Sequence, residues 1–440
     1  MKPLIVVIAA SICLCLPAHA KKSKASVARW LSVEPVAAAA MNDGRINRFS
    51  DALVHVWETH PDVLQAQYAL QATGFDLTAA YSGFLPYAQL DLARSRRSDR
   101  YIARFIQPLF SGGSTVAGVQ AAQASQRQAL TELSSRRLQL ALRLNDVWFG
   151  WLAARELDQL YVGHIADLNN LLGIIRRRAD EGVAAQADVI NAITRIRQVE
   201  AQTEANRAVL GATQAQLTAL LGTRSLGQPS WPEPMQRLDD AVAAKAWEHA
   251  RDKHPSIQFA LAGIERQTAE RNINRGRTMP ELGLRYNKPF GDEADISAPT
   301  SEIYMQYQTD TVFRAFQGMR AGSSRVEAAQ ASLENARRDV QAAINQASAE
   351  RQAAALQLEY QQLAFQAARD LVDSFKRQFE TGRKTWIEVL NAQREAQETR
   401  LQLVQQRRAY WVANNRLALQ GVYWEVLLRE LDDRKLGALK

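Results

Sequence analysis

Residues 130–175 read LTELSSRRLQLALRLNDVWFGWLAARELDQLYVGHIADLNNLLGII, and their periodicity decides the fold. Stepping alternately three and four residues from Leu130 to Ile175 meets an apolar side chain at every position except Arg137 and Asp158. A 3.5-residue period sustained this long keeps its apolar seam in line only if the helix supercoils against partner helices. Apolar residues off the seam, such as Trp148, Leu152, Leu160 and Leu171, predict that a second face is packed as well. Followed outward to Gly113 and Gly182, the pattern predicts one helix over 114–181, about 100 Å long at 1.5 Å per residue. The return helix expected over 188–221 is about half that length, so another segment must cover the rest of the seam. The helix expected over 50–81 has the missing length.

The same plan occurs twice. His60-Pro61 and Pro86-Tyr87-Ala88-Gln89-Leu90 recur at the same spacing as His254-Pro255 and Pro280-Glu281-Leu282-Gly283-Leu284. Gly182 followed by Asp188-Val189-Ile190-Asn191-Ala192 recurs as Gly382 followed by Glu388-Val389-Leu390-Asn391-Ala392. Phe110-Ser111-Gly112-Gly113 matches Phe316-Gln317-Gly318 more loosely, if a loop insertion precedes the second copy. The predicted first repeat, 49–222, therefore holds a helix, strands at 86–93 and 101–110, and the two helices above. The second, 239–420, holds a helix over 239–277, strands at 281–287 and 302–308, and helices over 320–380 and 386–420. A linker at 223–238, marked by Pro229, Pro232 and Pro234, joins them.

The ends and the composition bound the compartment. Lys2 precedes an apolar run from Leu4 to Leu16 and then Pro17-Ala18-His19-Ala20, which reads as a secretory signal over 1–20 cleaved after Ala20. Residues 21–48 read as an N-terminal arm and 421–440 as a C-terminal tail. Both cysteines, Cys13 and Cys15, fall in the signal, so the mature chain is expected to hold no disulfide and no Cys-bound metal. The formal charge of +8 is spread through helices that alternate Arg and Lys with Glu, Asp and Gln, which argues against nucleic acid as a partner.

No later stretch has the 18 or so consecutive apolar residues of a spanning helix, so entry into a membrane would be by strands. Ile303, Met305 and Tyr307 alternate with Tyr304, Gln306 and Gln308, and Leu282, Leu284 and Tyr286 with Glu281, Gly283 and Arg285. Apolar-out, polar-in alternation is the mark of a membrane barrel strand, although Arg104 interrupts the pattern in the first repeat. About eight strands are needed merely to fill a barrel with side chains, so four must be completed by other protomers.

With this arrangement the chain resembles the TolC-like outer-membrane efflux and secretion proteins over essentially all of its mature length. The resemblance rests on the duplicated His-Pro followed by Leu/Met-Pro and a strand, on Phe-x-Gly before the long helix, and on Gly382, Thr385, Glu388, Val389 and Leu390 in the order Gly-x-x-Thr-x-x-acid-Val-Leu. It implies a mainly α protein with a small membrane β-barrel: a homotrimer whose 12-stranded β-barrel is continued by a 12-helix α-barrel. It implies a place in the cell outer membrane, embedded in its lipid, with a large periplasmic part. The inner end would dock on a periplasmic adapter coupled to an inner-membrane transporter, either an ABC exporter or a proton-driven pump. The family often carries a second acid a turn beyond the first; Asn391 stands there in this chain.

The expected gate lies at the turns 181–188 and 381–388, the points farthest from the strands. Glu388, Asn391 and Asp188 are expected to line the constriction, with Arg383 and Lys384 compensating the carboxylates. Gly182, Gly382 and Thr385 shape the turns that face the adapter. No catalytic set emerges, so no enzyme, cofactor or metal is expected. His55, Glu58 and His60 hint at a metal, but duplication of His60 as His254 favours a structural role. Gly382-Arg383-Lys384-Thr385 echoes a phosphate loop without its earlier glycine or leading strand. The expected function is a passive exit duct, leaning to type I protein secretion on the sequence at 382–392, with small-molecule efflux as the alternative. A porin-like or adhesive surface protein and a periplasmic adapter are the readings from other classes.

Overall fold

The computed structural model describes residues 46–94, 99–183, 185–222, 226–232, 240–290, 298–307 and 309–423. The expected signal, most of the arm, part of the linker and most of the tail lie outside them. In chain order the elements are α1 (Phe49–Thr59), α2 (Pro61–Tyr81), β1 (Tyr87–Arg94), β2 (Asp99–Phe110), α3 (Ser114–Asp180) and α4 (Gln186–Leu221), then α5 (Asp240–Ala244), α6 (Ala246–Ala250), α7 (Pro255–Gly276), β3 (Glu281–Phe290), β4 (Thr300–Gln306), α8 (Thr309–Glu380) and α9 (Trp386–Gln420).

At His60-Pro61 and His254-Pro255 the chain breaks one helix and starts another, for the same reason in both repeats. A residue before proline is pushed out of the helical region, and proline itself suits the first helical position. His60 and His254 sit at ψ 133° and 131°, and each Nδ1 accepts the backbone N–H two residues on, from Asp62 and Ser256, at 3.2 Å. The helix expected over 50–81 is thus two helices, and that over 239–277 is three. No metal set is needed to explain His60: its ring is a cap.

The long helix α3 uses two faces, as its sequence requires. It lies against α2 and α4 of its own repeat and against α7 and α9 of the other. Seam residues Leu140, Leu144, Leu168 and Ile175 are buried, and so are the off-seam Trp148 and Leu152. At mid-length Phe149, fully buried, meets the rings of Phe49 at 5.6 Å, Trp231 at 6.0 Å and Trp411 at 6.3 Å. One aromatic cluster therefore ties together α1, the inter-repeat linker and both repeats. Beside it the Glu156 carboxylate accepts the Trp231 indole N–H at 2.6 Å and pairs with Arg407 at 3.2 Å. Helix α8 packs mainly on α7 and α9 and leaves Leu356, Tyr360 and Leu363 exposed, in keeping with its weaker apolar period.

Helix α8 begins at Thr309, which overturns the expected loop insertion and the start at 320. Phe316, Gln317 and Gly318 lie inside the helix. The two long helices contain 67 and 72 residues, so the extra length of the second repeat is helical. Gly318 is there for packing: a Cβ on it would sit 3.1 Å from Asn274 of α7, and one on Gly322 2.9 Å from the Arg271 Cβ.

The four strands form one antiparallel meander in the order β1-β2-β3-β4. Its register resolves the anomaly at Arg104. That residue stands between Gln89 and Asn287 on the face that also carries Asp91, Arg285, Glu302 and Tyr304. Arg104 pairs with Asp91 at 2.8 Å and Arg285 with Glu302 at 3.3 Å. The opposite face carries Leu90, Leu92, Phe105, Leu284, Tyr286, Ile303 and Met305. The register shifts between Pro108 and Phe110, where proline lacks an N–H for the ladder. Among the described residues no helix is long and apolar enough to cross a membrane.

Candidate gate and docking tip

The far ends of both helical hairpins close with the same turn. Gly182 and Gly382 adopt φ +74° and +72°, the left-handed region that costs glycine nothing. In the first turn the N–H of Gly182 donates to Ala179 O at 3.0 Å and that of Val183 to Arg178 O at 2.8 Å. In the second the N–H of Gly382 donates to Phe379 O at 3.0 Å and that of Arg383 to Gln378 O at 2.9 Å. This double bond pattern satisfies carbonyls that the end of a helix leaves free.

The return helices start differently. Glu388 reaches back over the first turn of α9, where its carboxylate accepts the Thr385 backbone N–H at 2.9 Å, the Thr385 hydroxyl at 2.8 Å and the Lys384 ammonium at 2.7 Å. Lys384 Nζ also lies 4.6 Å from the centre of the Phe375 ring. In the first tip, among the described residues, Asp188 accepts only the Ala185 N–H, at 3.3 Å, because Ala185 has no hydroxyl to add and no lysine precedes it. The two tips share a backbone and differ in chemistry: Gly182-Val183-Ala184-Ala185 is uncharged, Gly382-Arg383-Lys384-Thr385 doubly basic. Asn391, one turn beyond Glu388, is exposed.

Beneath the turns Leu168, Leu172, Ile175, Val189, Ala192, Ile196 and Leu390 form a small core, with Trp386 against it. Leu390 and Trp386 belong to α9, so the second hairpin grips the first through that helix. Trp386, Phe375 and the Arg178 guanidinium, 4.4 Å from the centre of the Phe379 ring, are tip residues the sequence reading missed. The Thr-x-x-Glu spacing at 385–388 is itself a capping signature that sequence alone exposes.

The Lys384 ammonium and the two Thr385 donors hold the Glu388 carboxyl at a pKa of about 2, well below its ordinary 4.5. A depressed pKa means that the ionised carboxylate stabilises the fold above pH 4.5, and that this contribution fades as pH falls from 4.5 toward 2. In a carbon-13 carboxyl titration of the protein, Lys384→Met with Thr385→Ala should raise the Glu388 midpoint toward the ordinary carboxylate range. A midpoint unmoved from the parent's would show that these groups do not hold it.

Comparison with known proteins adds to this geometry. The family model described as outer membrane efflux protein matches residues 53–223 and 247–420. Protein CyaE of Bordetella pertussis is 26% identical over 198 residues, which span 44% of this chain and 42% of that protein. The alignment thus covers less than half the length of the relative. Among solved structures, a membrane protein from Pseudomonas aeruginosa superposes with a TM-score of 0.73 at 14% identity, over 86% of this chain and 90% of that one. The outer membrane protein VceC of Vibrio cholerae gives 0.70 at 16% identity, over 86% and 96%. The open state of the MtrE outer membrane channel of Neisseria gonorrhoeae gives 0.68 at 14%, over 85% and 89%. At these identities the likeness to solved structures is one of fold.

Proposed function

From the premise that this chain belongs to the outer membrane efflux protein family, we propose that it is the passive exit duct of an export system, assembled as a homotrimer in the outer membrane and reaching far into the periplasm. One observation carries the reading: a four-stranded sheet with one apolar and one polar face stands at one end of hairpins about 100 Å long. Four strands close no barrel, whereas three copies supply 12. The exposed Tyr68 and Phe75 on α2 and Leu356, Tyr360 and Leu363 on α8 supply apolar surface for the contact between copies. Transport energy comes from a partner, a periplasmic adapter joined to an inner-membrane ABC exporter or proton-driven pump. The tips at 181–188 and 381–388 are the inner end, where Gly182, Gly382 and Thr385 shape the docking surface. Glu388, Asn391 and Asp188 line the constriction.

Type I protein secretion is the finer reading, favoured by the tip sequence at 382–392, with small-molecule efflux as the alternative. Neighbouring genes distinguish the two: an ABC exporter beside a large repeat-containing protein, or a drug pump.

The test is electrical. The protein purified from outer membranes in detergent should be a trimer that forms ion-conducting pores in planar bilayers; a water-soluble monomer without conductance would end the proposal. Because Lys384 compensates Glu388, Lys384→Ala should raise cation selectivity, and Glu388→Lys should turn selectivity toward anions. If both variants conduct like the parent, the pair does not face the constriction.

A further inference from the structure

Roughly 25 Å along the hairpin from the first tip, α3, α4 and α9 line a cavity of about 150 Å³ that is partly open to solvent. One water needs only about 10–15 Å³ of such volume, so the space suits a small organic molecule. Its character is divided. Leu168, Val199, Leu390 and Leu401 make apolar walls, while Tyr161 and His164 of α3, Arg195 of α4, and Arg394 and Glu398 of α9 bring polar groups to the same space.

These charges do not balance. Arg394 and Glu398 are paired with each other at 3.7 Å, both about half exposed. Among the described residues Arg195 has neither a hydrogen bond nor an ion pair, and it is half-buried. His164, only 8% exposed, makes no hydrogen bond there although its ring lines the cavity. A guanidinium without an ion-pair partner and an imidazole without a protein hydrogen bond face the same space beside apolar walls, an arrangement that suits an anionic group carrying an apolar body. Burial holds the His164 imidazole below its ordinary pKa, with Asp167 opposing in part, so at neutral pH the ring is uncharged and offers one N–H.

We propose that this cavity binds a small organic carboxylate, its carboxyl group on the Arg195 guanidinium with His164 and Tyr161 as further donors, and its apolar body against Leu168 and Leu390. A planar guanidinium fork matches a carboxylate in two parallel hydrogen bonds. The same fork also matches phosphate, but phosphate and sulfate sites commonly add free backbone N–H groups at helix starts or nests. The walls here are the middles of three helices, whose amides are already bonded, and four of the lining side chains are aliphatic. A ligand so held bridges the two repeats, since α9 belongs to the second and α3 and α4 to the first.

The test uses the full-length protein in detergent at pH 7, titrated by calorimetry with sodium butyrate and, separately, with sodium sulfate. Butyrate should bind saturably, and Arg195→Gln should weaken it at least tenfold while leaving the helical circular dichroism unchanged, because Arg195 has no partner to lose. Arg197→Gln, an exposed residue on the same helix paired with Glu200 at 2.7 Å, should bind butyrate as the parent does. Three outcomes each overturn the proposal: no saturable butyrate binding, parental affinity in Arg195→Gln, or sulfate binding as tightly as butyrate.

Discussion

Phe149→Ala should destabilise the protein by about 3–5 kcal/mol, the range for removing a fully buried aromatic ring. The ring is 0% exposed and contacts Phe49, Trp231 and Trp411, so its loss leaves a cavity that three separate elements line. The cost lies toward the upper end if the helices cannot collapse into the gap, and their anchoring elsewhere resists that collapse. Trp148, Trp231 and Trp411 belong to the same cluster or pack on it, so tryptophan fluorescence in a denaturant series reads the change directly. Phe75→Ala is the contrast: its ring is 77% exposed in the protomer. It should leave the protomer's unfolding midpoint alone and act on assembly instead. Equal effects from both would mean that the aromatic cluster is not the junction of the repeats.

Gly112→Ala should cost about 2–5 kcal/mol, from its left-handed backbone and overpacking together, and Gly276→Ala about 1–3 kcal/mol from overpacking, although each adds one methyl group. Gly112 sits at φ +62° in the bend from β2 into α3, and a Cβ there would collide with the backbone oxygen of Gly276 and lie 2.9 Å from the Met279 Cβ. A Cβ on Gly276 would lie 2.6 Å from the Ser114 nitrogen. Backbone meets backbone at this point, so no side chain can swing aside. Gly211→Ala serves as the control of opposite sign: it is mid-helix with nothing within 4 Å, and should stabilise by about 0.5–1 kcal/mol. Thermal midpoints by circular dichroism and the yield of folded protein measure both. Normal yield from Gly112→Ala would show that the bend has room to relax.

These glycines show where sequence reading succeeds and where it stops. The Gly112-Gly113 pair is legible as a bend because two glycines follow a strand, but the approach of Gly276 from the other repeat leaves no local mark. Gly318 carried the wrong message: matched to the bend glycine, it implied a loop insertion, and only its neighbour Asn274 identifies it as a packing position. The long seam was legible because one period runs through dozens of residues. The breaks at Pro61 and Pro255 were obscured by apolar residues that continue across them, although the residue before each proline is itself a stop signal. Arg104 looked like an interruption because Ile102 and Ile106 share its face and blur the alternation. At the tip the sequence pairs Glu388 with Arg383 and Lys384 as nearby cations; the structure brings Lys384 to it and adds both donors of Thr385. The cavity near His164 is assembled from three helices distant in sequence and was not legible at all.

The meander order has a kinetic consequence. β1 with β2, and β3 with β4, are hairpins whose partners are close in the chain and can zip up soon after synthesis. The ladder between β2 and β3 pairs Phe110 with Leu282, so its closure spans the whole first helical hairpin and the linker. The entropy of closing so long a loop is large and is not repaid by a few cross-strand bonds, so helix packing must first bring the ends together. The sheet is thus joined late, and its apolar face is completed only after the rod beneath it has formed. Such an order delays the creation of a lipid-seeking surface until the chain is already compact.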